Sequence, residues 1–213
     1  MDDLKLLKHI QELKDSDIRQ KIDRRILEFK SLGEKSNALL FSELCFCILT
    51  ANFNAEKTIR VQKEIKPSGF LALSEGKLAK KLKKLGHRYP NTRAKYIVEA
   101  RKFARNLGQL IKSQKTDSEA RDFFAKNVKG LGYKESSHFL RNIGFENLAI
   151  IDFHIVDLLA RFHLIKKPES KALNKKRYLE IESILQRIAK TCGLNLAELD
   201  LYLWFMETGK LLK

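Results

Sequence analysis

Cysteine is scarce in this chain: Cys45, Cys47 and Cys192 are the only three among 213 residues. Three thiols supply neither a disulfide framework nor a zinc or iron–sulfur ligand set. Two of them stand in the apolar stretch 44–49, where a buried free thiol is the ordinary state, and a reducing cytoplasm suits such a chain. Proline is equally rare, at three residues, and no convincing run of alternating strand pattern interrupts the helical periodicity. Sheet architectures are therefore set aside and the chain reads as all-α. No apolar run approaches the roughly 18 residues of a membrane span. The opening MDDLKLLKHIQELK is acidic and then amphipathic, unlike a secretory signal. Negative charge is in deficit, with 26 acidic against 42 basic residues and a formal net charge of +16. A thermophile's Lys/Glu-rich surface would come nearer to balance. The excess favours a polyanionic partner, nucleic acid before an anionic membrane surface.

Apolar residues at helical spacing mark the elements. Leu6, Leu7, Ile10 and Leu13 make one stripe, and Ile18, Ile22, Leu27 and Phe29 suggest a second. Tyr96, Ile97, Ala100, Phe103, Ala104 and Leu107 form the clearest, with Arg93, Lys95, Glu99, Arg101, Lys102 and Arg105 outside it. Tyr178, Ile181, Ile184, Leu185 and Ile188 repeat the pattern. Asn195 with Glu198 reads as a capping box that opens a last helix, which Gly209 stops. Short loops are expected at Lys66-Pro67-Ser68-Gly69, at 86–91 and at Lys166-Lys167-Pro168. The expected architecture is two helical lobes, one from residues 36–151, the other from 1–35 plus 152–213, with a cleft between them.

The most informative segment is 122–142. Phe123, Phe124 and Val128 end one helix, Gly130-Leu131-Gly132 makes a tight turn, and a second helix starts near Tyr133 with Phe139, Leu140 and Ile143 inward. This is a helix–hairpin–helix pattern. Glycine lets the backbone turn sharply and approach a phosphate, and the amides freed at the new helix start can bind it. Leu131 would plug the turn into the core. A Gly-x-Gly between helices is also an ordinary helix stop, so the turn alone does not decide the matter.

Lys134 follows two positions after Gly132, and Asp152 stands eighteen residues further on, in Ile150-Ile151-Asp152-Phe153-His154. A helix of about ten residues at 1.5 Å each, followed by a return loop at 144–148, can bring the two side chains to one cleft. Lys134 would equally serve as a solvated or phosphate-contacting lysine. Asp152 is also placed to cap the helix expected over 153–162, and it can hold both roles.

Val-Lys-Gly-Leu-Gly-Tyr-Lys followed by Ile-Asp-Phe-His resembles the helix–hairpin–helix DNA glycosylase superfamily, whose signature is the hairpin, a lysine just after it and a downstream aspartate. The resemblance covers most of the chain. Leu85-Gly86-His87-Arg88-Tyr89 and Arg93-Ala94-Lys95-Tyr96-Ile97 are similar to the family's earlier helix entry, and Leu49-Thr50-Ala51-Asn52-Phe53-Asn54 to the loop that the family pushes into the duplex. The small size and the last residue, Lys213, look most like the compact archaeal-type 8-oxoguanine DNA glycosylase/AP lyases. Two positions depart from the pattern: Lys129 stands where proline is usual, and Ser136 where alanine is usual. The iron–sulfur cysteines of endonuclease III relatives are absent.

The resemblance implies excision of 8-oxoguanine from duplex DNA by a monomer of the cytoplasm, associated with the nucleoid, without metal or other cofactor. The target nucleotide is flipped out of the stack. Lys134, as a neutral amine, attacks C1′ to give a Schiff base, and β-elimination then cuts the strand. Asp152 stabilises positive charge on the sugar and helps to position Lys134. Oxidised guanine carries N7–H where guanine has an acceptor, so a specific pocket needs an acceptor there and an aromatic surface. The resemblance places Trp204 against the flipped base and Lys213 near it; read from the residues alone, Trp204 is a core anchor and Lys213 a frayed tail. Tyr89 is a second stacking face. Lys129, Gly130, Gly132, Tyr133 and His154 would meet phosphate, His154 serving equally as a structural histidine. Asn52 and Asn54 can bond base edges or simply end a helix. A glycosylase/lyase for another damaged base, or a non-catalytic DNA-binding protein with the same hairpin, fits the pattern as well.

Overall fold

Twelve α-helices and one short 3-10 turn account for the periodic stretches in a computed structural model that describes residues 2–168 and 173–213, the side chains of Asp2 and Asp3 excepted. In chain order they are α1 (Asp2–Lys14), α2 (Ile18–Gly33), α3 (Asn37–Thr50), α4 (Ala55–Ala72), α5 (Glu75–Lys84), α6 (Pro90–Ala100), the turn Arg101–Phe103, α7 (Leu107–Lys112), α8 (Asp117–Asn127), α9 (Tyr133–Asn142), α10 (Phe153–Arg161), α11 (Lys175–Cys192) and α12 (Leu196–Thr208). There is no strand among the described residues, as the all-α reading expects. No described helix is long and apolar enough to cross a membrane.

The chain divides into two compact units. One is built from Met1–Glu28 and Phe145–Leu211, the other from Phe29–Gly144 and Leu212–Lys213. In the first, α11 packs on α1 and α12, and α12 also on α1 and α10. Leu6, Ile10, Ile22, Leu159, Ile181 and Leu203 fill its interior. In the second, α3 is the central element, packed on α4, α6, α7 and α9. Every residue of α3 from Leu40 to Thr50 is buried, which is what a helix apolar on all sides requires.

The boundaries expected at 36 and 151 differ from the division observed, and local contacts explain both differences. The last turns of α2 lie against the end of α9: a Cβ on Gly33 would fall 2.2 Å from the Ile143 carbonyl oxygen, and the Arg141 guanidinium sits 4.5 Å from the Phe29 ring centre. The segment after Gly144 instead joins the first unit. There the Ala149 amide donates to Glu182 (2.9 Å), the Tyr178 hydroxyl donates to the Ala149 carbonyl (2.7 Å), and the Ala197 amide donates to the Glu146 carbonyl (3.1 Å).

Three elements depart from the periodicity. Ile26, not Leu27, completes the buried stripe of α2 with Ile18, Ile22 and Phe29; Leu27 is exposed. The stretch 93–107 is not one helix: α6 ends at Ala100, a 3-10 turn follows, and the Asn37 side chain holds the Arg105 carbonyl (2.6 Å) and the Gly108 amide (2.8 Å) on either side of the start of α7. Lys66-Pro67-Ser68-Gly69 is a kink within α4 rather than a loop. Lys66, the residue before Pro67, leaves the helical region (φ 62°, ψ 163°), and helical structure resumes beyond it.

Candidate functional site

The hairpin forms as its glycines dictate. Val128 caps α8, and its carbonyl accepts from the Leu131 amide at 3.2 Å. Gly130 adopts φ +88°, and a Cβ there would lie 2.6 Å from a ring carbon of Tyr96. Leu131 is buried beneath the turn. Gly132, extended, caps α9; its amide donates to the Glu135 carboxylate at 3.1 Å, and the same carboxylate pairs with Lys134 Nζ at 3.2 Å. The Gly132 amide expected to be free for phosphate is therefore engaged by Glu135. The Tyr133 hydroxyl donates to Asp122, and the Arg121 guanidinium lies 4.8 Å from the Tyr133 ring centre. Lys129 is exposed and pairs with Glu99 at 3.1 Å.

Beyond its first turn α9 is buried on every side, from Ser136 to Asn142. Lys134, His138 and Asn142 recur at i, i+4 and i+8, so they share one face. Burial holds the His138 imidazole well below the usual histidine range; the charges of Arg141, Lys134 and Lys213 push the same way, while a hydrogen bond to the Lys213 main chain opposes them. Asn142 Nδ2 donates to Glu43 Oε1 at 2.6 Å. Lys213 Nζ donates to Glu43 Oε2 (2.7 Å) and to Gln62 Oε1 (2.5 Å), and lies 4.3 Å from the Phe46 ring centre. Lys213 is thus tied into the second unit rather than frayed. The adjacent Cys47 thiol is buried and free, and burial raises its pKa well above the ordinary value.

The turn between α3 and α4 is held from α6 and the loop before it. Arg93 donates to the Ala51 carbonyl at 2.6 Å and is buried, a correction to its expected place outside the α6 stripe. His87 Nδ1 accepts from the Tyr89 amide (3.1 Å), which leaves Nε2–H to donate to the Leu49 carbonyl (3.0 Å). Its ring lies 4.3 Å from that of Phe53, and burial lowers its pKa. Asn52 sits exposed at the tip with φ +58°. Asn54 caps α4 by accepting from the Lys57 amide at 3.0 Å, so its side-chain oxygen is in use. Tyr89 is partly exposed, with the guanidinium groups of Arg88 and Arg93 5.1 and 5.9 Å from its ring centre.

Asp152, His154 and Trp204 belong to the first unit. Asp152 caps α10: its Oδ1 accepts from the His154 and Ile155 amides at 2.9 and 3.0 Å, and neither amide uses Oδ2. The His154 ring meets Phe153 at 4.0 Å and Trp204 edge-on at 5.2 Å. Phe153 is exposed, and Trp204 is half-buried with its indole N–H lacking a partner among the described residues.

The residues singled out from sequence thus fall in two sets: Lys134, Lys213, Tyr89, Asn52, Asn54 and the hairpin in the second unit, and Asp152, His154 and Trp204 in the first. Sequence reading missed Glu43, Gln62, His138, Asn142, Glu135 and the clamp of His87 and Arg93. One signal was available, since Glu43 is the only charged residue in the apolar α3. Among the described residues no group of three or more His, Cys, Asp or Glu side chains is arranged to hold a metal.

The helix–hairpin–helix family model described as 8-oxoguanine DNA glycosylase matches residues 22–194. A Methanocaldococcus jannaschii protein named 8-oxoguanine DNA glycosylase/AP lyase is 52% identical over 208 residues, covering 98% of this chain and 99% of its own. A crystal structure of the M. jannaschii 8-oxoguanine glycosylase/lyase in complex with a 15mer DNA containing 8-oxoguanine superposes with a TM-score of 0.94 at 52% identity, over 98% of this chain and 99% of that one. The crystal structure of the Thermotoga maritima 8-oxoguanine DNA glycosylase gives a TM-score of 0.92 at 44% identity, over 99% and 100% of the two chains. With most of its length matched in sequence and fold, the chain belongs to the 8-oxoguanine DNA glycosylase family of the helix–hairpin–helix superfamily.

Proposed function

We propose that this protein excises 8-oxoguanine from duplex DNA and cuts the strand at the site it leaves, acting as a monomer at the nucleoid. The observation that carries the reading is Lys134, placed on the first turn of α9 directly after a Gly130-Leu131-Gly132 hairpin, in a chain of this family.

The hairpin grips phosphate through Lys129, Gly130 and Tyr133, and His154 adds a phosphate contact. The extruded base stacks on Trp204 and meets Lys213, with Tyr89 as a second face. Asn52, and Asn54 through its amide nitrogen, enter the gap or meet the opposite base. Lys134, paired with Glu135 in the free protein, gives up its ammonium proton to water and attacks C1′ as an amine. As the new C–N bond forms, the bond from C1′ to the base nitrogen breaks, its electron pair leaves with the base, and the base takes up the proton that the lysine nitrogen sheds. Asp152, whose Oδ2 is not used by the helix cap, offsets the positive charge that develops on the sugar. Ring opening gives a Schiff base. Loss of a C2′ proton then expels the 3′-phosphate, and hydrolysis frees the lysine.

A panel of duplexes, each carrying one lesion, tests the reading. The expected result is release of 8-oxoguanine together with strand cleavage and a borohydride-trapped adduct. Preference for another lesion would replace the substrate; binding without any adduct would leave a DNA-binding protein only.

A further inference from the structure

Glu43 is a buried carboxylate and the only charged residue of α3, and only 2% of its surface is exposed. A buried ion pair seldom adds stability over well-packed apolar side chains, so its use lies in fixing geometry. Here the geometry fixed is that of Lys213. The Nζ group is held by Glu43 and Gln62 and faces the Phe46 ring, Glu43 is itself held by Asn142 (2.6 Å) and by Gln62 Nε2 (3.1 Å), and the Lys213 main chain is bonded to His138. Both ends of Lys213 are therefore restrained. Since His138 and Asn142 lie on the face of α9 that carries Lys134, the restraint also sets Lys213 relative to the amine. With its ammonium committed to Glu43 and Gln62, Lys213 would meet a base through the main-chain atoms that His138 does not hold.

We propose that Glu43 is a positioning residue for base recognition, which holds Lys213 on the Lys134 face of α9 so that its main chain can contact the extruded base. This rests on the reading of Lys213 given above. Glu43 touches no DNA; it acts through Lys213. Its loss should therefore affect steps that depend on the base and spare those that do not.

The test compares the unmodified protein with Glu43→Gln, which keeps shape and removes charge, on a duplex containing 8-oxoguanine and on one containing an abasic site. Excision of 8-oxoguanine is expected to fall at least thirtyfold in kcat/KM, while abasic-site cleavage and its borohydride trapping stay within threefold. Equal losses on both duplexes, or no loss on either, would overturn the proposal. If Glu43→Gln does not fold, as judged by circular dichroism, Gln62→Leu decides: the same split at about tenfold supports the proposal, and no split overturns it. Failure of the unmodified protein to release 8-oxoguanine would be seen first and would remove the underlying reading, and the proposal with it.

Discussion

The guanidinium of Arg93, on α6, donates to the carbonyl of Ala51, in the turn after α3, across 2.6 Å in the interior of the second unit. It joins the turn that carries Asn52 to the surroundings of the hairpin, because an added Cβ on Gly130 would lie 3.2 Å from Arg93 Nη1. Burial lowers the pKa of Arg93, but arginine retains its proton in proteins, so the bond is charge-assisted. Arg93→Met should cost about 2–3 kcal/mol of unfolding free energy, the worth of such a bond. It should also weaken duplex binding by loosening the Asn52 turn. Urea denaturation and a fluorescence binding assay check the two effects.

The two hairpin glycines should respond differently to alanine. Gly130→Ala meets both a left-handed backbone, which costs about 1–2 kcal/mol, and the Tyr96 ring at 2.6 Å. Gly132 has φ −95°, and its added Cβ would meet only the Glu135 carboxylate at 3.2 Å, the end of a side chain that can shift. Denaturation should rank Gly130→Ala well below Gly132→Ala, with the latter within about 1 kcal/mol of the unmodified protein.

Stability should fall as pH is lowered below neutrality. His138 is neutral in the folded protein because its pKa is pushed well down, mainly by burial, and His87 is shifted the same way. In the unfolded chain both titrate near the ordinary value of about 6.5. Below that pH the unfolded state takes up protons that the folded state refuses, so stability present above pH 6.5 is lost as pH drops toward the folded values. Melting temperatures measured from pH 7.5 to 5.5 should decline, and His138→Asn should flatten the curve.

Lys129 is exposed and only loosely paired with Glu99. If it contacts a phosphate, Lys129→Ala should weaken binding to all duplexes alike and reduce the slope of log Kobs against log salt by about 1. The rate of the bound complex should stay the same. Binding titrations across a salt series check this.

Local signals were legible where one stretch of chain determines the outcome. The hairpin, the Asn195–Glu198 capping box, the left-handed stop at Gly209 and the Asp152 cap each depend on neighbours within a few residues, and each is observed. Periodicity misled where a distant side chain intervened. Asn37 holds the chain at Arg105 and Gly108, within and just beyond the stretch that reads as one helix over 93–107, and Arg93 is buried because a carbonyl 42 residues earlier needs a donor. The restraint on Lys213 was the least accessible feature, since Glu43, Gln62, Asn142 and Lys213 come from four separate parts of the chain and share no pattern. Glu43 could have been flagged as a lone acid in an apolar helix, but its partner could not.

The central claim is that Lys134 forms the covalent bond to DNA. Borohydride trapping on a duplex carrying 8-oxoguanine, run with the unmodified protein and with Lys134→Gln, tests it most directly. The account predicts an adduct with the first and none with the second, although Lys134→Gln still binds the duplex. An adduct, or release of the base, with Lys134→Gln would contradict it.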